Sequence, residues 1–202
     1  AEVMARVEQE FLSEMERASG DADAMLAIRR WRGRSCLTVA LSDLAGLCDS
    51  ETQMAWLSRA ANAALRASLT FLINLAVARG KIKRVDSSMR GCGWTIIALG
   101  KLGAEELNYS SDVDLLILHD LATAPLAKDQ VQPFYVGLTR DLVRLLSATT
   151  ADGIGWRVDL RLRPDPGATA VSIDIDAAIG YYESLARTWE RAAFIRARPI
   201  AG

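Results

Sequence analysis

Two aspartates, Asp112 and Asp114, stand one residue apart at the start of an apolar run, Val-Asp-Leu-Leu-Ile-Leu over residues 113–118. Side chains alternate along a strand, so both carboxylates are expected on the same face. Two like charges at this spacing repel each other unless a cation lies between them. Because Mg²⁺ prefers carboxylate oxygens and leaves coordination positions for phosphates, the pair predicts a magnesium site.

Asp159 is a third carboxylate, in the middle of a strand predicted over residues 154–162. From a neighbouring strand it could face the pair, and three carboxylates suit a centre of one or two metal ions. The Asp-x-Asp spacing also arises by accident, in which case Asp112 and Asp114 are only charges at a strand edge. All three aspartates are therefore candidate metal ligands and catalytic groups.

A glycine turn comes shortly before the aspartate pair. Gly100 and Lys101 follow a strand predicted over residues 94–99 and open a short helix, where backbone N–H groups meet phosphate oxygens. An ordinary strand-to-helix turn would use Gly100 and Gly103 equally well. The spacing is not that of a Walker A loop. Together, the turn, the aspartate pair and the later strand aspartate indicate nucleotidyl transfer.

Arginines flank Asp159 on its predicted strand. Alternation over this segment predicts that Arg157, Asp159, Arg161 and Arg163 share one face of the sheet. The planar guanidinium fork suits phosphate oxygens, so Arg161 and Arg163 are candidate nucleotide-binding residues. Ion pairing with Asp112, Asp114 or Asp165 explains the same residues equally well.

The composition limits the classes of function. The chain has 202 residues, 50% of them hydrophobic, with 24 Lys and Arg against 25 Asp and Glu. A single histidine, His119, argues against Ser-His-Asp and Cys-His catalysis and against His-rich zinc sites. We expect it to cap its strand or face solvent. A net charge of −1 argues against a protein that coats nucleic acid.

Several features bear on the location of the protein. Three cysteines without Cys-x-x-Cys spacing indicate a reducing compartment, and no signal-peptide pattern opens the chain, so a cytoplasmic protein is expected. The longest apolar stretch, over residues 69–77, is interrupted by Asn74 and is too short for a membrane span. The start at Ala1 and the abrupt end at Gly202 suggest a fragment of a longer protein.

The elements that must position these residues change type near residue 90. Apolar spacing predicts helices over residues 3–15, 21–31, 37–47 and 51–78, with Gly33 ending the second and Gly80 capping the fourth. Within a basic segment, 79–90, the stretch Lys-Ile-Lys-Arg at 81–84 is expected to be a solvated connector, with docking of an acidic partner as the alternative. Beyond it we predict strands over 94–99, 113–118 and 154–162, and helices over 131–147, 174–183 and 185–198. The fold class is therefore α+β and mainly helical: a helical region, 1–90, then a core, 91–202, with a small mixed sheet.

Residues 94–202 resemble the bacterial glutamine synthetase adenylyltransferase/adenylyl-removing enzymes, which belong to the DNA polymerase beta-like nucleotidyltransferase superfamily. Residues 1–90 match more weakly, as the helical segment that precedes the nucleotidyltransferase core in that family. The resemblance is carried by Ala-Leu-Gly-Lys-Leu-Gly at 98–103, Glu-Leu-Asn-Tyr-Ser-Ser-Asp-Val-Asp-Leu at 106–115, Val-Asp-Leu-Arg-Leu-Arg-Pro at 158–164, Trp-Glu-Arg at 189–191 and Arg-Ala-Arg at 196–198.

The resemblance implies roles for individual residues. The three aspartates match the family's metal-binding carboxylates, for one or two Mg²⁺ ions, with Asp159 acting as a ligand or as a base. Gly100 and Lys101 match the phosphate-cradling turn, and Ser111 matches the residue beside the metal pair.

Enzymes of that family have two related halves. One half transfers AMP from ATP to a tyrosine of glutamine synthetase, and the other removes AMP with phosphate, giving ADP. The segments 106–112, 150–153 and 189–191 are more similar to the N-terminal, adenylyl-removing half. The resemblance implies glutamine synthetase as protein substrate and the nitrogen-regulatory PII protein as a partner of the full-length enzyme. AMP transfer, and a catalytically silent module that binds nucleotide or protein, are the alternatives.

Overall fold

The computed structural model describes residues 2–83, 85–86, 89 and 91–202. Its helices are α1 (Glu2–Arg17), α2 (Asp21–Leu44), α3 (Ser50–Ala78), α4 (Gly100–Gly103), α5 (Lys128–Ser147), α6 (Ile175–Ser184) and α7 (Thr188–Ala193). Its strands are β1 (Trp94–Ala98), β2 (Val113–His119), β3 (Val158–Asp159), β4 (Ile173–Asp174) and β5 (Arg198–Ala201). The prediction of a mainly helical α+β fold with a small mixed sheet is confirmed. Of the basic segment, Arg84 and Arg90 lie outside the described residues.

Helix α3 begins and ends where the sequence pattern indicates. Asp49 caps its N-terminus by accepting a hydrogen bond from the Thr52 amide at 2.8 Å. Gly80, with a φ of +67°, follows its last turn and donates to the Val77 carbonyl at 2.9 Å, which confirms the glycine cap. By length and composition α3 is apolar enough to cross a bilayer, but 72% of its most apolar window is buried inside the protein. A core helix has the same composition.

Helix α2 is continuous where two helices are expected. The prediction that Gly33 ends a helix is wrong, because α2 runs without a break from Asp21 to Leu44. A glycine inside a helix costs only about 1 kcal/mol relative to alanine. Burial of the large Trp31 side chain outweighs that cost: its ring stacks on Phe11 with centroids 5.2 Å apart, and its Nε1 donates to the Ala60 carbonyl at 2.8 Å.

The sheet is built around β2. The strand order is β3-β2-β1-β5, with β4 also pairing with β2. Strands β1 and β2 are antiparallel, whereas β3 and β4 run parallel to successive parts of β2. The β2–β3 register places Asp114 directly opposite Asp159. The topology therefore brings together two aspartates that are far apart in sequence.

The two faces of the sheet are packed differently. Alternate residues of β2, starting at Val113, belong to an apolar cluster that runs from α1 to β5. Leu116 and Leu118 belong to a smaller cluster with Ala178 of α6. Asp114 is two residues before Leu116 and four before Leu118, so its carboxylate lies on the face that carries the smaller cluster. The helical region and the sheet share the larger cluster, and their division near residue 90 stays a prediction.

Strand β3 is much shorter than the predicted strand over 154–162. It comprises only Val158 and Asp159, because the chain turns on both sides of it. The Arg161 amide donates to Asp159 Oδ1 at 2.8 Å, a local side-chain bond that competes with strand pairing. The prediction that Arg157, Asp159, Arg161 and Arg163 share one strand face is therefore wrong.

The structure adds a strand, β5, at the end of a segment predicted as helix. Helix α7 ends at Ala193, a 3₁₀ turn covers Phe194–Arg196, and Arg198 begins β5. Pro199 has no amide hydrogen and disfavours a helical conformation in the residue before it. Strand β5 pairs antiparallel with β1 at the edge of the sheet. The helical prediction over 185–198 is thus wrong at its C-terminal end.

His119, at the end of β2, is buried rather than facing solvent or capping the strand. Its Nδ1 lies 3.0 Å from the hydroxyl of buried Ser172, and its ring stacks on Tyr135 with centroids 5.7 Å apart. Burial lowers the pKa of His119, because the charged imidazolium is disfavoured away from water. The prediction for His119 is wrong, and its packing explains why.

Candidate functional site

Asp114 lies at the centre of the candidate site. Its backbone carbonyl accepts a hydrogen bond from the Leu99 amide at 2.9 Å, which fixes the start of β2 beside the glycine turn. The side chain is half-buried. Partial burial raises the pKa of the Asp114 carboxyl, and the negative charges of Asp159 and Asp112 raise it further. The structure therefore brings the three aspartates into electrostatic contact at one end of β2.

Gly100 must be a glycine for two reasons. Its φ of +53° lies in the left-handed region, and a Cβ there would be 2.4 Å from Asp114 Oδ2. The predicted glycine turn thus lets the backbone pass directly against the Asp114 carboxylate. Lys101 follows on the four-residue helix α4, with its side chain exposed.

Asp159 is held by its neighbour Arg161. The Arg161 guanidinium donates from Nε at 2.9 Å and from Nη2 at 2.5 Å to Asp159 Oδ2. These hydrogen bonds lower the pKa of the Asp159 carboxyl, since they stabilise its charged form. The Asp159 side chain is 14% exposed and that of Arg161 is 83% exposed, so the arginine covers the carboxylate from the solvent side.

Asp112 is held in a similar way by Arg157. The Nε of Arg157 donates to Asp112 Oδ1, and its Nη2 donates to the Ser110 carbonyl at 2.6 Å. Both side chains are substantially exposed. The ion pairing that the sequence left open is thus present for Arg157, whereas Arg161 pairs with Asp159, a partner outside that expectation. Contact of these arginines with phosphate stays a prediction.

Ser111 closes the loop that leads into Asp112. Its hydroxyl donates to Asn108 Oδ1 at 2.8 Å and accepts from the Asn108 amide at 3.2 Å. Asn108 Oδ1 also accepts from the Ser110 amide at 3.1 Å. Sequence reasoning missed this role of Asn108, although an asparagine followed by small polar residues before a strand is typical of a side-chain-bonded turn.

Arg163 is the predicted site residue that the structure directs elsewhere. Its guanidinium donates to the carbonyls of Leu160 at 2.8 Å and Pro166 at 2.7 Å. It therefore braces the loop after β3, and its guanidinium is engaged by backbone oxygens. A nucleotide-binding role for Arg163 stays a prediction without support from these contacts.

The donor set of the site fits a hard divalent cation, since all three side chains offer carboxylate oxygens. In the described part of the chain, no three His, Cys, Asp or Glu side chains are arranged to hold one ion. Arg157 and Arg161 engage two of the three carboxylates. Exposed ion pairs contribute only about 0–1 kcal/mol, so a divalent cation can compete with them. The mutual repulsion at Asp114 favours such a cation.

The fold, the carboxylates at the start of β2 and the carboxylate in β3 are consistent with a nucleotidyltransferase-like core. The chain belongs to the glutamate-ammonia ligase adenylyltransferase family, whose model matches residues 1–202. It is similar to bifunctional glutamine synthetase adenylyltransferase/adenylyl-removing enzymes. That of Xanthobacter autotrophicus is 51% identical over 92% of this chain and 19% of the relative.

Other relatives with the same description cover nearly the whole chain. That of Bradyrhizobium sp. strain ORS 278 is 44% identical over 100% of this chain and 20% of the relative, and that of Mesorhizobium japonicum is 40% identical over 99% and 20%. The chain spans about one fifth of the length of these curated relatives.

Proposed function

We propose that this chain carries the site that removes AMP from an adenylylated tyrosine of glutamine synthetase by phosphorolysis. The observation that carries the proposal is the setting of Asp114, which lies opposite Asp159 in the β2–β3 register, experiences the negative charges of Asp159 and Asp112, and has Gly100 directly beside its carboxylate. A site that gathers negative charge in this way is suited to cations and, through them, to phosphate groups.

The proposed reaction exchanges one P–O bond for another. An oxygen of inorganic phosphate attacks the phosphorus of the AMP group, and the bond from that phosphorus to the tyrosine oxygen breaks. The proton of the phosphate ends on the tyrosine oxygen, so hydrogen phosphate and tyrosyl-AMP become ADP and free tyrosine. The protein has little covalent chemistry to do, and its task is to position the groups and stabilise charge.

The three aspartates would hold one or two Mg²⁺ ions. When bound, these supply positive charge to the attacking and leaving oxygens of the displacement. Arg157 and Arg161 are restrained beside the carboxylates and exposed to solvent, so they are placed to transfer their hydrogen bonds to phosphate oxygens. Gly100 keeps the turn close to Asp114, and Lys101 adds an exposed cation beside that turn.

The choice of removal over transfer rests on the resemblance of three segments to the adenylyl-removing half. Of these, 106–112 forms the loop closed by Asn108 and Ser111, and 150–153 forms a turn in which Thr150 and Gly153 exchange backbone hydrogen bonds. The third, 189–191, contains Glu190, which accepts from the Tyr181 hydroxyl at 2.7 Å and from the Arg187 amide at 2.7 Å. The second candidate is ATP-dependent transfer of AMP onto the same tyrosine.

The two candidates consume different substrates, and this difference gives the test. Adenylylated glutamine synthetase with phosphate and Mg²⁺ should yield ADP in the presence of this chain. Unmodified glutamine synthetase with ATP should yield no AMP-modified tyrosine. The reverse pattern would establish transfer, and no turnover with either pair would leave a non-catalytic binding module.

We also propose a cytoplasmic location and regulation of the full-length protein by PII. The location rests on the cysteine pattern and on the start of the sequence, which lacks a signal-peptide pattern, whereas PII rests on the resemblance to the family. A pull-down of the full-length protein with PII, with and without glutamine, tests the second of these.

A further inference from the structure

One arginine of the helical region reaches both loops that lead into the candidate site. Arg32, on α2, donates from Nη2 to the Tyr109 carbonyl at 2.9 Å and from Nη1 to the Gly155 carbonyl. Tyr109 lies three residues before Asp112, and Gly155 lies four residues before Asp159. A single guanidinium therefore joins the two segments that deliver two of the three carboxylates.

The segment around Gly155 is packed tightly between helices. A Cβ at Gly155 would be 2.7 Å from the Leu146 carbonyl oxygen and 2.8 Å from Ile28 Cγ2. The Arg32 guanidinium also lies over the ring of buried Trp156, 5.4 Å from its centroid. This segment is thus fixed against α2 and α5, and it provides Arg32 with a rigid base.

Arg29, one turn before Arg32 on α2, joins α2 to the C-terminal end of α5, next to the segment around Gly155. Its buried guanidinium donates to the carbonyls of Leu145 and Ala148, each at 2.5 Å, where α5 ends. Arg29 does not bond to the Tyr109 loop in the structure, so its role is confined to one side of the site. Arg32 is the residue of α2 that bridges the two sides.

The loop before Asp112 is more exposed than the segment around Gly155. The Leu107 amide donates to the Ser58 hydroxyl of α3 at 3.1 Å, which fixes the start of the loop. Residues 108–110 are exposed, and the Tyr109 carbonyl is the next point held by the helical region. Beyond it the loop is restrained by Arg157, itself an exposed side chain. Arg32 therefore contributes to the position of Asp112 together with the Asn108–Ser111 hydrogen bonds and Arg157, and it is the contribution that comes from the helical region.

We propose that Arg32 is a positioning residue that sets the distance from Asp112 to the Asp114–Asp159 pair, which makes the helical region part of the working site. The functional consequence rests on the metal-dependent reaction proposed above. Arginine suits this role because its planar fork reaches two carbonyls at once, whereas the ammonium of lysine acts as a single point. Loss of groups that orient metal ligands typically weakens metal affinity about ten- to a hundredfold.

Hydrogen exchange on the whole chain tests the positioning role without metal or substrate. Arg32→Ala is compared with Arg34→Ala, a matched control on the same helix whose guanidinium pairs with Glu10 at 3.0 Å within the helical region. In Arg32→Ala, amides of 104–112 should exchange about tenfold faster, while those of 148–157, which Arg29 and close packing also hold, should change much less and those of α1 and α3 not at all. In Arg34→Ala neither loop should change. Unchanged exchange in the 104–112 loop of Arg32→Ala would overturn the proposal.

Binding of Mn²⁺, followed by loss of the electron paramagnetic resonance signal of the free ion, is the second readout. We expect affinity about ten- to a hundredfold weaker in Arg32→Ala, intermediate in Arg32→Lys and unchanged in Arg34→Ala. Equal affinity in Arg32→Ala and Arg34→Ala would contradict the proposal.

Two further outcomes are also decisive. Should Arg32→Ala fail to fold, Arg32→Lys is compared with Arg34→Ala instead. Weaker Mn²⁺ binding by Arg32→Lys would then support the proposal, and equal Mn²⁺ binding would contradict it. Should the unsubstituted chain bind no Mn²⁺, the metal site of the proposed function fails, and hydrogen exchange alone decides the role of Arg32.

Discussion

The helical region and the sheet region use exposed arginines differently. In the helical region Arg59 pairs with Glu8 of another helix at 2.7 Å, on the surface of the packed helices. In the sheet region Arg161 pairs with Asp159, next to a second and a third carboxylate. Exposed pairs of this kind contribute only about 0–1 kcal/mol to stability. An arginine–carboxylate pair therefore contributes little in the helical region, whereas in the sheet region it restrains groups that the proposed chemistry needs.

The largest difference between the regions should appear when a carboxylate is neutralised. Asp114→Asn should slow ADP release on the order of a thousandfold, because a metal ligand provides several kcal/mol of charge stabilisation in the transition state. Its free energy of unfolding should be unchanged or higher, since a half-buried charge beside two like charges is removed. Glu10→Gln in α1 is the control and should alter neither quantity. Full activity in Asp114→Asn would remove Asp114 from the site.

A glycine-to-alanine pair sharpens the comparison next. Gly100→Ala places a Cβ 2.4 Å from Asp114 Oδ2 at a φ of +53°, so it should displace the carboxylate and reduce activity about a hundredfold. It should also lower the free energy of unfolding by about 1–2 kcal/mol. Gly33→Ala, where nothing lies within 4 Å of the added Cβ, should instead raise it by about 0.5–1 kcal/mol at full activity. The rate of ADP release and urea unfolding are measured for both variants. Equal changes in Gly100→Ala and Gly33→Ala would contradict the close approach of Gly100 to the Asp114 carboxylate.

The two exposed ion pairs can be broken in parallel. Arg161→Ala and Arg59→Ala should each change the free energy of unfolding by less than about 1 kcal/mol. Only Arg161→Ala should slow ADP release, by about tenfold, because it removes a donor that can reach phosphate oxygens. Thermal unfolding and steady-state rates measure these effects. An equal loss of activity in Arg59→Ala would show that the regions do not differ in this respect.

The smallest expected effect concerns the far end of β2, where burial acts on His119 instead of on a carboxylate. Burial lowers the pKa of His119 below its usual 6.5, so between the two values the unfolded chain binds the proton more tightly than the folded protein. Stability from this group is therefore complete above pH 6.5 and decreases as the pH falls below it, by at most about 1.4 kcal/mol per pH unit.

His119 is the only histidine in the chain, so His119→Asn isolates its contribution. The difference in unfolding free energy between the variant and the parent chain, measured from pH 7.5 to 5 in urea, should shrink as the pH falls. A difference that stays constant over this range would mean that His119 titrates alike in the folded and unfolded states.

Local patterns allowed the elements that carry the site to be predicted, but not their spatial pairing. The apolar run after Asp112 and the glycine cap of α3 are encoded by neighbouring residues, and the structure confirms them. Gly33 misled the prediction because the burial of Trp31, a tertiary effect, outweighs a weak local preference. The prediction that Arg157 to Arg163 share one strand face was wrong because Asp159 Oδ1 accepts a hydrogen bond from the Arg161 amide, where the strand ends. The alternation of residues in the sequence does not reveal this bond.

Long-range contacts of the site had no local signal at all. Arg32 and the Tyr109 carbonyl are 77 positions apart, and the register that pairs Asp114 with Asp159 depends on the whole sheet. The resemblance to the family nevertheless indicated the three aspartates and the glycine turn, because each of them lies within a short sequence motif. The part that could not be predicted is how the helical region restrains the loops around them.

In the proposed reaction phosphate is the attacking group, and labelled phosphate tests this directly. This chain is incubated with adenylylated glutamine synthetase, Mg²⁺ and radioactively labelled inorganic phosphate, and the nucleotide products are separated. Labelled ADP should form in proportion to the tyrosine released. Release of unlabelled AMP, or retention of the AMP group on glutamine synthetase while the chain remains folded, would contradict the proposed reaction.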